Sequence, residues 1–125
     1  RAIVGAQYDD DNGSSSGSAY VFERTAQGWI QVQKLLPSDG TSLSRFAADV
    51  SIFGDRAVVG AYLDGENGVA AGAAYVFERQ SDGTWPQTQK LLASDGESGD
   101  AFGEHVAMSD DVLVVGASGD DDQGI

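Results

Sequence analysis

The chain has 125 residues, enough for one domain with a modest core, and its 20 acidic against 7 basic side chains give a formal net charge of −13. A field of that sign repels phosphate backbones and anionic lipid, which counts against nucleic-acid and membrane partners; it attracts cations, although a solvated acidic surface explains the charge equally well. No cysteine is present, so disulfides, thiolate metal sites and cysteine nucleophiles are excluded, and no apolar run approaches the ~20 residues of a membrane span.

Seventeen glycines against two prolines, with many Val, Ala, Tyr and Phe residues, indicate an all-β chain of short strands and tight turns. In chain order, segments rich in β-branched and aromatic residues predict nine strands, over 2–6, 18–24, 29–36, 46–53, 56–61, 73–79, 85–92, 102–108 and 112–117. The first of these, Arg1-Ala-Ile-Val-Gly-Ala6, returns as Arg56-Ala-Val-Val-Gly-Ala61 and as Val112-Leu-Val-Val-Gly-Ala117. Ala19-Tyr-Val-Phe-Glu-Arg24 likewise matches Ala74-Tyr-Val-Phe-Glu-Arg79, and Gln33-Lys-Leu-Leu36 matches Gln89-Lys-Leu-Leu92. The repeat is therefore 55 to 56 residues long, with one residue inserted before Trp85 relative to Trp29. Tyr20, Phe22, Tyr75 and Phe77 share one strand face while Ala19, Val21, Ala74 and Val76 share the other, so both faces read as buried. Gly54-Asp55 and Asp110-Asp111 provide two-residue turns. Four antiparallel strands per repeat with two apolar faces fit the blades of a β-propeller better than a two-sheet sandwich.

Phe102-Gly103 followed by Val106, then Val114-Val-Gly-Ala117, resembles the FG-GAP signature of integrin α-subunit propellers and bacterial surface proteins. The resemblance covers essentially the whole chain. The first copy departs from it, since Phe46 is followed by Ala47 instead of glycine, and the proline that often closes the motif is replaced by Gln7, Tyr62 and Ser118. The resemblance implies about two and a quarter blades of an incomplete ring: strands of a first blade over 1–37, a complete blade over 44–95 and the start of a third over 100–125. Such a chain is expected to be part of a longer propeller, with further repeats or other copies of itself as neighbours. It also implies calcium in the hairpin between the Phe-Gly and Gly-Ala strands, but Gly54-Asp55 and Asp110-Asp111 offer too few oxygens for Ca²⁺.

Acidic residues gather instead after each Gly-Ala, at Asp9-Asp-Asp-Asn-Gly13, Asp64-Gly-Glu-Asn-Gly68 and Asp120-Asp-Asp-Gln-Gly124. Carboxylates two positions apart can converge on a hard cation, so Asp9, Asp11, Asn12, Asp64, Glu66, Asn67, Asp120 and Asp122 are the candidate Ca²⁺ ligands; the alternative is a solvated turn shaped by Asp, Asn and Gly. Asp39-Gly40 and Asp95-Gly-Glu-Ser-Gly-Asp100 form a second acidic set, which the resemblance places on the same propeller face. The recurrence of Trp29 as Trp85 predicts packing between blades.

Catalytic constellations are not assembled by the sequence. The single His105 aligns with Asp49, and Ser14-Ser-Ser16 lacks a recurring base partner. The expected function is that of a non-catalytic, extracellular or cell-surface module for adhesion, protein or carbohydrate interaction, or structural assembly. The alternatives are a ligand-holding domain of a larger secreted enzyme and a self-assembling subunit of a ring or filament.

Overall fold

The computed structural model of the chain describes residues 1–122, and among these it contains nine strands and no helix. Strands β1 (Ala2–Ala6), β2 (Ser18–Thr25) and β3 (Gly28–Leu35) form the first sheet. Strands β4 (Val50–Phe53), β5 (Arg56–Ala61), β6 (Ala73–Glu78) and β7 (Gln87–Leu91) form the second in sequence order, and β8 (Phe102–Ser109) and β9 (Val112–Ala117) the third. All pairings within the three sheets are antiparallel, so the expected all-β architecture of propeller-type blades is what the chain adopts.

The repeat is preserved down to register. Val4 pairs with Tyr20 as Val59 pairs with Tyr75, and a bulge falls between Val21 and Phe22 as it does between Val76 and Phe77. Two strands begin later than the sequence suggests. β4 begins at Val50, not at 46, because Ala47 adopts a left-handed φ of 69° and the Phe46 N–H donates to the Ser16 carbonyl instead of to a neighbouring strand. β7 begins after Pro86, which has no N–H to give to a ladder.

The sheets stack, and strand alternation sends successive side chains into different interfaces. Ile3, Ala19, Val21 and Leu35 of the first sheet meet Ala57, Val59, Tyr75 and Phe77 of the second, with Trp85 and Phe46 in the same cluster. The Phe46 ring stands edge-on to Tyr75 and Phe77, with centroids 5.3 and 6.1 Å away. On the other side of the second sheet, Val58 and Ala74 meet Val106, with Leu91, Phe102, Met108, Leu113 and Val115 around them. Each fully buried large apolar side chain contributes roughly 1.5–3 kcal/mol, so the doubly covered second sheet is the most strongly held of the three. Its strand β5 is buried from Ala57 to Ala61, whereas Val4 in β1 and Val114 in β9 remain half-exposed or more.

Backbone contact between sheets explains the recurring Val-Gly-Ala. A methyl placed on Gly60 would come within 3.0 Å of the Gly103 carbonyl carbon, and one placed on Gly5 within 3.3 Å of the Ala47 carbonyl carbon. Glycine lets the next blade approach this closely. Trp85 is completely buried between the first two sheets, as its recurrence predicts, but Trp29 is 55% exposed because its face of the first sheet has no neighbour among the described residues.

Candidate functional site

Antiparallel pairing puts the long loops 7–17, 36–49, 62–72 and 92–101 at one end of the stacked sheets and the tight hairpins at the other. Both acidic sets therefore share one rim. Each loop after a Gly-Ala starts in the same way: the N–H of Asp9, Asp64 and Asp120 donates to the carbonyl of Ala6, Ala61 and Ala117. Oδ1 of each of these aspartates then accepts the N–H two residues on, at 3.1, 3.0 and 3.0 Å. Asp at this position is thus required by the turn itself.

The remaining oxygen of Asp9 is taken up by the sheet. Asp9 Oδ2 accepts from Ser18 Oγ at 2.8 Å, Tyr20 Oη at 2.9 Å and Lys34 Nζ at 3.0 Å, and Lys34 also binds Asp11. The Lys34 ammonium, followed by the Ser18 and Tyr20 hydroxyls, holds the Asp9 carboxyl far below the usual carboxylate range. Asp11 and then Asp9 in turn hold the Lys34 ammonium above the ordinary lysine value.

The second loop repeats this design with one addition. Asp64, which is buried, accepts from Tyr75 Oη at 2.9 Å and pairs with Lys90 Nζ at 3.1 Å, and Glu66 pairs with the same ammonium at 2.6 Å. Asp39, from the loop that leaves the first sheet, accepts from Lys90 Nζ at 2.6 Å and lies 2.9 Å from Tyr75 Oη, whose single proton it shares with Asp64. One lysine thus gathers three carboxylates from two blades beside a rim cavity of about 420 Å³ lined by Asp39, Thr41, Asp64, Gly65, Glu66 and Lys90. Burial works against the charge of both Asp39 and Lys90. Hydrogen bonds from Lys90 and Tyr75 outweigh it for Asp39, whose carboxyl is held low, and those to Asp39, Glu66 and Asp64 outweigh it for Lys90, which is held high. Burial, reinforced by the Asp64 charge, raises the Tyr75 hydroxyl well above its usual value.

These residues do not fit a calcium ion in the first two loops. The ammonium of Lys34 or Lys90 occupies the position that a cation would take, and the lone pairs of Asp9 are already engaged. Asn67 uses its amide as a donor, from Nδ2 to the Ala93 carbonyl at 2.9 Å, while the Asn12 N–H is bonded to Ser16 Oγ. In the third loop the charge of Asp120, followed by that of Asp95, pushes the Asp122 carboxyl above its usual value. Among the described residues, no group of three or more His, Asp or Glu side chains is arranged to hold a metal.

Lys34, Lys90, Ser18, Tyr20 and Tyr75 are the site residues that loop-centred reading passes over. A signal for them exists in the sequence: Tyr and Lys recur together in both repeats, and the register places Tyr20 opposite Lys34 and Tyr75 opposite Lys90. His105 lies outside this rim cluster; its side chain is 78% exposed, with Nδ1 3.8 Å from Asp49. Ser16 Oγ donates to the Asp9 carbonyl and the Ser15 backbone N–H donates to Asp10 Oδ1; both serve the loop geometry.

Comparison with protein-family models matches the FG-GAP repeat over residues 1–22, 29–77 and 85–125. No curated protein matches the chain.

Proposed function

Because the chain belongs to the FG-GAP repeat family, we propose that it serves as a non-catalytic propeller module of an extracellular or cell-surface protein, one that displays an acidic rim to a protein or carbohydrate ligand. The observation that carries this reading is the clasp of Asp39, Asp64 and Glu66 around Lys90, which ties loops of successive blades into one rigid surface. Rigid loops bind with less ordering cost than mobile ones. The lysines tie the rim loops together by ion pairs, so the rim keeps its shape without a metal. The open outer faces of the first and third sheets are covered by further blades of the same kind, since each presents the side chains that its equivalent in the second sheet buries.

The test is a chain with one more 55-residue repeat placed ahead of Arg1. Stacking of the added blade should shield Trp29 from acrylamide and raise the unfolding midpoint. If Trp29 stays as quenchable as in the original chain, the module reading fails.

A further inference from the structure

Residues 43–47, which carry the chain from the first sheet to the second, follow a backbone path that recurs one repeat later. Leu43, Arg45 and Ala47 have left-handed φ of 66°, 56° and 69°, as do their equivalents Gly99, Ala101 and Gly103 at 94°, 58° and 91°. Recurring hydrogen bonds fix this path. The N–H groups of Leu43, Arg45 and Phe46 donate to the Ser14, Ser15 and Ser16 carbonyls, and those of Gly99, Ala101 and Phe102 to the Val69, Ala70 and Ala71 carbonyls. Small residues suit such a path, because a left-handed backbone presses Cβ against the following carbonyl. The second repeat has small residues at all three positions, whereas the first carries a leucine and an arginine.

Neither of these large side chains belongs to the two core clusters. Leu43 is 56% exposed. The Arg45 guanidinium lies 4.2 Å from the centre of the Tyr8 ring, and its Nε is enclosed with no hydrogen-bond acceptor. Among the described residues, ion pairs are made by Arg1, Lys34, Arg56, Arg79, Lys90 and His105, and Arg45 makes none, in a chain with 20 acidic side chains. Arg45 sits between two blades that are both described: its own N–H is bonded to Ser15 of the first, and the neighbouring Ser44 carbonyl accepts from Leu63 of the second. The ring beneath it is a departure from the repeat as well, since Leu63 and Gly119 stand where Tyr8 does. Departures from the repeat thus gather at one point of the rim, two of them on strained backbone. Strain that the scaffold does not require marks a functional position.

Resting on the reading of the rim as a recognition face, we propose that Tyr8, Leu43 and Arg45 form a docking point for a protein partner that presents one carboxylate side chain beside an apolar one. The Nη1–Nη2 edge of the guanidinium offers two parallel N–H groups, spaced for the two oxygens of an Asp or Glu carboxylate. Stacking on Tyr8 holds that edge in place, which lowers the ordering cost of binding. Leu43 supplies the apolar contact. The net charge of −13 repels polyanions, so the charge complementarity is with a single carboxylate among apolar groups.

The experiment is an NMR titration of the full chain with a blocked five-residue peptide in which one glutamate lies between two leucines, compared with a twin that has glutamine in place of the glutamate. The glutamate peptide shifts the Arg45 Nε–H and Leu43 methyl signals saturably, with a Kd on the order of 1 mM and about tenfold tighter than the twin. Arg45→Gln abolishes the difference between the two peptides. Leu43→Gly weakens both and leaves the unfolding midpoint at or above that of the wild type, because glycine relieves the left-handed backbone. The docking point is overturned by an absence of shifts up to ~10 mM peptide, by equal affinity for the twins, or by an Arg45→Gln chain that still prefers glutamate. It is also overturned if Leu43→Gly unfolds several degrees lower, since the leucine is then structural. Peptide binding that persists in Arg45→Gln with shifts elsewhere on the rim removes this docking point and keeps the recognition face, and blade stacking is judged separately by Trp29 quenching.

Discussion

Replacing Gly60 by alanine tests the idea that the Val-Gly-Ala glycine is needed for the approach of the next blade. The added methyl carbon would sit 3.0 Å from the Gly103 carbonyl carbon, with that carbonyl's oxygen nearer still, and 3.4 Å from Val106 Cγ1. Carbon pairs prefer about 3.5–4.0 Å. Because the carbonyl oxygen is the limiting contact, relief requires the third sheet to retreat by more than about an ångström, and the obstacle is backbone that cannot rotate away. Separation on that scale forfeits about half or more of each contact it stretches, and overpacking of this kind costs about 1–3 kcal/mol or more. For a chain of this size the midpoint should fall by about 3–5 °C per kcal/mol, hence by about 9–15 °C at the upper end. Gly116→Ala is the internal control. Among the described residues the same motif glycine in the third sheet has no blade against it, and its added methyl meets nothing nearer than His105 at 3.7 Å. Thermal unfolding followed by circular dichroism compares the two, and amide exchange should show β8 and β9 losing protection in Gly60→Ala. Equal midpoints for the two variants would refute the argument.

Lys90→Met should cost about 2–3 kcal/mol in urea unfolding, because it strands the buried Asp64 beside Asp39 and Glu66 without a counter-charge. Lys34→Met should cost less, as its partners Asp9 and Asp11 are more exposed. Millimolar calcium should leave the wild-type midpoint unmoved, since ligands stabilise only the state that binds them; a rise of several degrees would show that calcium displaces the lysines. Stability should also follow pH with a defined sign. Asp9 and Asp39 are held below the usual carboxylate value, so their contribution is complete above about pH 4 and disappears as pH falls through their folded values. Lys34, Lys90 and Tyr75 are held above their usual values, so their contribution is complete below about pH 10 and disappears as pH rises beyond it. Urea midpoints across pH should fall at both ends, and Asp39→Asn should reduce the acid slope; an unchanged slope would remove Asp39 from the clasp.

Much of the fold could be read from the chain because its repeat makes each strand testify for its equivalents. Period-two alternation at Ala74-Tyr-Val-Phe77 predicts a sheet covered on both sides, as the second sheet is, whereas the same pattern at Ala19-Tyr-Val-Phe22 stands in a sheet covered on one side among the described residues. The acidic loops were legible as turns and as charge, but not as ion pairs. Lys34 is 23 residues from Asp11 and Lys90 is 51 from Asp39, and such partners meet only when strand register and sheet stacking bring them together.

By itself the sequence determined what repeats locally: strand content, the two-residue turns, the period, and the aspartate that begins each rim loop. These follow from propensity and alternation, which act over a few residues. Tertiary structure alone decided what happens between repeats. It buried Trp85 while leaving Trp29 open, although both stand at the same place in the motif, because only one has a sheet against it. It also placed a lysine in the midst of the carboxylates that the sequence offers to a metal, since opposite charges separated by tens of residues are joined by the register of one sheet and the stacking of the next.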